Sequence, residues 1–176
     1  MPPLFLKPLY ESPVMSRFED TGFHPFVVPV CRDGGYGETL LKKTCLVSAC
    51  LAGLCTRYDG KSKPDPACLA LLESMEWLPI CPEQLGGLPT PRTPADIVDG
   101  DGQDVLAGKA AVIDRNGVDV STRFILGARQ TLAVARARNI ELALLKSGSP
   151  SCGVSGRPGV TAALLLQHGI DCREFG

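Results

Sequence analysis

The chain has only two histidines, His24 and His168, and none of its eight cysteines stands in a CxxC spacing. A structural zinc site, which takes four ligands mostly from close CxxC or CxxH pairs, therefore has little to be built from. Basic charge is not in excess either. The 18 Lys and Arg set against 19 Asp and Glu give a formal charge of -1, short of the surplus that binding a nucleic-acid backbone calls for. Missing too is any apolar run near the ~18 residues of a membrane span. The first segment, MPPLFLKPLYESPVM, is broken by Lys7, Glu11 and prolines where a signal peptide is uniformly apolar. These absences point to a cytoplasmic protein with no membrane or nucleic-acid partner, whose thiols stay reduced and free to ligate metal.

What is present suffices for one core: 176 residues, 44% of them hydrophobic. Residues 1–43 hold six of the fifteen prolines and a GGYG segment without sustained periodicity, and read as a Pro/Gly-rich, poorly ordered extension, docked at most through FVVPV. The body, residues 44–176, is expected to be a single compact domain.

It opens with CLVSAC, a buried strand that breaks into small residues, with Cys50 at its exit. Asp65 is placed to cap a helix through PACLALLESM, with Pro66 first and the leucines inward, and WLPIC follows as a second buried strand ending at Cys81. Gly86 to Asp104 reads as a surface excursion, and VLAGKAAVIDRNGVDV as a hairpin turning at Asn116 and Gly117. Ser121 or Thr122 is expected to cap a helix to about Arg138, buried along Phe124, Leu126, Leu132, Val134 and Ala135. ELALLK is then the third core strand, leading into SGSPSCG and Cys152. VTAALLLQHG is a helix closed by Gly169, and IDCREF a last strand. Strands alternating with helices predict an α/β fold, three-layer (αβα), with a mainly parallel sheet.

In such a sheet ligands bind beyond the carboxyl ends of the strands, and Cys50, Cys81 and Cys152 each lie just past one. Their neighbourhoods, SACLAG, ICPEQLGG and SPSCG, supply small residues whose amides can approach sulfur. The same three residues also fit as small buried apolar side chains, which Cys45, Cys68 and Cys172 fit better. Three thiolates without a nearby fourth suit a 4Fe-4S cluster with one open iron, a Lewis acid with affinity for sulfur.

The segments SACLAG, RYDGK, CPEQLGGLPTPR, LLKSGSPSCG and GVTAALL, in this order, resemble the bacterial 2-thiouracil desulfidase family, formerly a domain of unknown function, from about Thr44 to the end. The resemblance implies a 4Fe-4S cluster on Cys50, Cys81 and Cys152. It also implies an iron-sulfur enzyme that hydrolyses a C–S bond, turning a small thiolated pyrimidine into the oxo product and sulfide. On that reading Glu83, two residues after a ligand, is the candidate general base, through burial that raises its pKa, and otherwise a partner for Arg92. Ser149 is the candidate for orienting water or stabilising the tetrahedral intermediate, and otherwise a turn serine. Ser48 and Ser151 flank ligands, while Arg57, Tyr58 and Asp59 are candidates for shaping the substrate pocket. His168 reads as structural at a helix end. The chain departs from the family in having only VSGRP between SPSCG and GVTAALL, where relatives carry a longer loop, and Cys55 lies too close to Cys50 to be assumed a fourth ligand.

Two other readings stay open. One is a cluster- or metal-binding module that handles sulfur, acting on thiolated RNA through Arg123, Arg129, Arg136 and Arg138. The other is a metal-free redox protein in which Cys50 and Cys55, or Cys81 and Cys152, form a disulfide. The assembly is expected to be a monomer or a homodimer.

Overall fold

A computed structural model describes residues 43–176 of the chain; the expected extension, with FVVPV, His24 and Cys31, lies outside the described residues. The elements run β1 (Thr44–Ser48), α1 (Pro66–Leu72), β2 (Glu76–Ile80), α2 (Pro82–Leu85), β3 (Ala95–Val98), α3 (Gly102–Leu106), β4 (Ala111–Asp114), α4 (Ser121–Ala137), β5 (Leu142–Lys146), α5 (Val160–Gln167) and β6 (Asp171–Phe175). Four strands form a parallel sheet in the order β2-β1-β5-β6, and β3 and β4 pair antiparallel beside it. The fold is α/β with a mainly parallel sheet, as the alternation of strand and helix patterns predicts.

The pleat sorts the central strands into two cores. Cys45 and Val47 of β1 and Leu144 of β5 pack with Cys68 and Leu72 of α1 on one face. Leu46, Ala143 and Leu145 point to the other face, against Leu132 and Ala135 of α4 and Ala162 and Leu165 of α5. Helices thus cover both faces, the three-layer arrangement. A third cluster joins Ile97 of β3, Val112 of β4, Val105 of α3 and Val160 of α5 around Phe124, which is 1% exposed. Burying such an aromatic side chain contributes about 1.5–3 kcal/mol.

Several expectations need correction. The strand β2 lies at the edge of the sheet rather than inside it, with Trp77 40% exposed. Glu76 and Ile80 turn their backbone groups to β1, so Pro79 turns outward, where its missing N–H removes one donor from the open rim. Asp65 caps α1 as expected, its carboxylate accepting from Cys68 N at 2.9 Å. That helix spans only two turns, however, and buries Cys68 and Leu72 while Leu69 and Leu71 face outward.

The supposed excursion contains β3 and α3, and VLAG closes α3 instead of starting a strand. The turn at Asn116 and Gly117 forms, closed by Asp114 N donating to Val118 O at 2.9 Å, but beyond it only the bridge between Ile113 and Asp119 forms. The main partner of β4 is β3, in register from Ala95 opposite Asp114 to Val98 opposite Ala111. Neither Ser121 nor Thr122 caps α4. Val120 holds the cap position without a side-chain bond, and the Ser121 hydroxyl accepts from Val112 N instead, at 2.8 Å. Leu126 is exposed on that helix, while Gly127, Ala128 and Thr131 join its buried side.

Candidate metal centre

The carboxyl ends of β1, β2 and β5 open into one cavity of about 360 Å³, and Cys50, Cys81 and Cys152 all line it. Each thiol is delivered by the break that ends its strand. After β1 the chain turns tightly, Leu51 N donating to Ser48 O, which leaves Cys50 at the mouth, 9% exposed. After β2, Cys81 takes the cap position of α2, whose first residue, Pro82, cannot extend a strand. After β5 the Ser149 hydroxyl accepts from Ser151 N and Cys152 N, both at 3.2 Å, and curls Cys152 back into the cavity, 5% exposed.

Two close backbone contacts seat these turns. The helix α2 lies directly on α4 at Gly127, where a Cβ would overlap the Pro82 carbonyl oxygen. Gly159, at the N-terminal cap of α5, also lies against the Ser151 backbone, which a Cβ would meet at 2.5 Å.

The electrostatics show three thiols within reach of one another. Burial, then Cys81, pushes the Cys50 thiol up from its ordinary value, against the pull of Lys146 and Arg57. Burial pushes Cys152 up to about 12, with Cys81, Glu83 and Cys50 adding to it and the Ser48 hydroxyl opposing. Around the thiols the lining is basic: Arg57, Lys63, Arg92, Arg115 and Lys146 against the one carboxylate of Glu83.

Of the other candidates, Glu83, Ser149, Ser48, Arg57 and Tyr58 line the cavity, whereas Asp59 and Ser151 do not. Asp59 stands outside, 3.4 Å from Arg57. Ser151 turns its hydroxyl inward to Thr161 Oγ1 at 2.9 Å. Ser48, 2% exposed, accepts from Lys146 N at 3.0 Å. Glu83 is paired with Arg92, Nε to Oε2 at 2.6 Å. Cys55 is exposed and does not line the cavity, and the seven described cysteines are all free. Arg123, Arg129 and Arg136 on α4 and Arg138 at its C-terminal cap are exposed, none of them in the lining.

The sequence reading missed Lys63, Lys146, Thr56, Arg115 and the Pro94–Ala95 wall, which the supposed excursion brings back over the strand ends. A cation at the last position of a β-strand, as Lys146 is in β5, was the available signal. The short VSGRP loop is anchored at both sides. Glu174 accepts from Val154 N at 2.9 Å and Ser155 N at 3.3 Å, and Arg157 donates to Ile97 O at 2.9 Å and Gly100 O at 3.0 Å.

Among the described residues no three His, Cys, Asp or Glu side chains converge tightly enough for one metal ion. Three thiols spread around a shared cavity instead fit a cluster several atoms across, the donor type that iron-sulfur centres use. Among the described residues no helix is long and apolar enough to cross a membrane.

Comparison with known proteins agrees in extent and in kind. A Bacillus subtilis (strain 168) protein named Uncharacterized protein YbbK is 42% identical over 136 residues, covering 70% of this chain and 90% of its own. A solved structure, the [4Fe-4S]-dependent thiouracil desulfidase TudS, is 39% identical, matches with a TM-score of 0.64, and covers 76% of this chain and 91% of its own. The 2-thiouracil desulfurase family model matches residues 45–174, nearly the whole described domain, and the chain belongs to that family.

Proposed function

We propose that the protein is a 4Fe-4S-dependent desulfidase that hydrolyses the C–S bond of a small thiolated pyrimidine of the 2-thiouracil type, consuming water and releasing sulfide. The observation that carries this reading is the convergence of Cys50, Cys81 and Cys152 on one cavity that also presents Glu83 and Ser149. The three thiolates hold the cluster, which supplies, when bound, an iron without a protein ligand, Lewis-acidic and sulfur-seeking. The name of the solved relative supports the cofactor and the substrate class.

The chain's own residues divide the remaining work. Glu83 takes the proton from the water that attacks the ring carbon. The Ser149 oxygen is occupied by two amides, so its hydroxyl proton is left to donate to the charge that develops on the substrate. Arg57 and Tyr58 wall the substrate space, Asp59 steadies Arg57, and Ser48 and Ser151 hold the turns that carry the thiols. The reaction exchanges sulfur for oxygen with no change in oxidation level, so it needs no external reductant.

The test is anaerobic purification with iron and sulfide quantification, repeated on Cys50→Ser, Cys81→Ser and Cys152→Ser, followed by incubation with 2-thiouracil. Uracil and sulfide should appear only with the wild-type chain. Full clusters in all three variants, or no turnover by a fully loaded wild type, defeat the cluster site or the substrate respectively.

A further inference from the structure

Glu83 and Arg92 partition two hollows. Both line the thiol cavity, and both line a second cavity of about 310 Å³ walled by Leu88, Pro91, Val120 and Phe124. The Arg92 side chain is only 5% exposed. A guanidinium taken out of water is tolerated only when its five N–H groups are matched, and here five contacts match them. Nε donates to Glu83 Oε2 at 2.6 Å. Nη1 donates to Pro89 O at 3.3 Å and Thr90 Oγ1 at 3.0 Å. Nη2 donates to Thr56 O at 3.1 Å and reaches Cys81 Sγ at 3.8 Å.

Nε and Nη2 belong to one rigid plane, so the Glu83 carboxylate and the Cys81 sulfur are held by the same planar cation. The Cys81 thiol itself points to Thr56 O, 3.6 Å away, the carbonyl that Arg92 also holds. One planar cation thus ties together a thiol of the metal centre, the carboxylate beside it and the loop that follows Cys50.

We propose that Arg92 is a positioning residue for the metal centre: it fixes the Cys81 sulfur relative to Glu83 and, by donating to that sulfur, raises the reduction potential of the cluster the thiols hold. The inference rests on the cluster reading given above. A hydrogen bond to a ligating sulfur stabilises the more negative, reduced state, so losing the donor lowers the potential. Lysine keeps the charge but cannot span both partners with a planar edge.

Wild type, Arg92→Lys and the double variant Arg92→Met with Glu83→Gln, which leaves no unpaired charge in the partition, are purified anaerobically. Iron and sulfide content, melting temperature and cluster midpoint potential are measured on each, and kcat and KM for 2-thiouracil on wild type and Arg92→Lys. The expected results are a lower potential in both variants, and in Arg92→Lys a kcat reduced about 10–100-fold with KM little changed. Folded variants that hold less iron than wild type also support the assignment. Fully loaded variants with the wild-type potential overturn it while leaving the desulfidase reading intact, whereas a wild type that takes up no cluster overturns both.

Discussion

Arg92 Nε lies 2.6 Å from Glu83 Oε2, so the one carboxylate in a basic cavity is tied to a cation that never loses its proton. Glu83 is therefore both half of a part-buried ion pair and, among the described residues, the only carboxylate lining the thiol cavity, and the two roles separate by substitution. Glu83→Gln keeps the shape and a hydrogen-bonding oxygen for Arg92 but cannot accept a proton. It is expected to retain iron and sulfide at wild-type levels and to lose about 10²-fold or more of its turnover. A loaded Glu83→Gln protein as fast as wild type would leave Glu83 only the structural role.

The contact between Gly127 and Pro82 makes a second expectation. A methyl group at residue 127 overlaps the Pro82 carbonyl oxygen, so Gly127→Ala must push α2 off α4 and carry Cys81 and Glu83 with it. The overpacking should cost about 1–3 kcal/mol in chemical denaturation and should also reduce cluster loading. The same substitution at Gly117, where nothing lies within 4 Å, strains only the backbone and should leave loading unchanged.

Ser149→Ala removes the acceptor for two amides in the turn that presents Cys152. The stability loss is expected to be about 1 kcal/mol. If the hydroxyl also donates to the substrate, kcat should fall well beyond what that loss explains, by about 10²-fold. Equal iron content and equal kcat would reduce Ser149 to a turn residue.

The three thiols were legible in the sequence because each follows a run apolar enough to be a strand, and small residues mark where each strand stops. Lys146 was not legible as part of the site, and Arg92 was legible only as the alternative partner of Glu83, which it is at 2.6 Å. A cation in a proline-rich segment or at a strand end reads as solvated until the fold shows that it is enclosed. The edge position of β2 was hidden for a related reason: WLPI is as apolar as a central strand, and hydropathy does not say how many neighbours a strand has. The segment before β4 misled more seriously. Ala95–Val98 is a four-residue strand between prolines and aspartates, too short to show a period, so the Asn116–Gly117 turn suggested the wrong partner.

Acid should act on the loop after Cys152 through Glu174. Partial burial raises its carboxyl, but hydrogen bonds from the Ser155 side chain and from the amides of Val154, Ser155 and Gly148 outweigh this and hold it below its ordinary value of 4.5. A carboxyl depressed by folding contributes stability above its unfolded pKa and loses that contribution as pH falls through the folded one. Thermal melts of wild type and Glu174→Gln should therefore differ at pH 6 to 7, wild type being the more stable. Below about pH 4.5 the curves should converge. A constant difference down to pH 3 would show that this carboxylate does not govern the loop.

Cys50, Cys81 and Cys152 come from three separate strand exits, and two long stretches of chain connect them. Anything bound by all three closes loops of about 30 and 70 residues, a restriction felt mainly by the unfolded chain, whose conformational freedom it removes. Local fraying of α1 or of the Asn116 turn would release none of the three anchors, so loss of the bound group should follow the cooperative melting of the whole sheet.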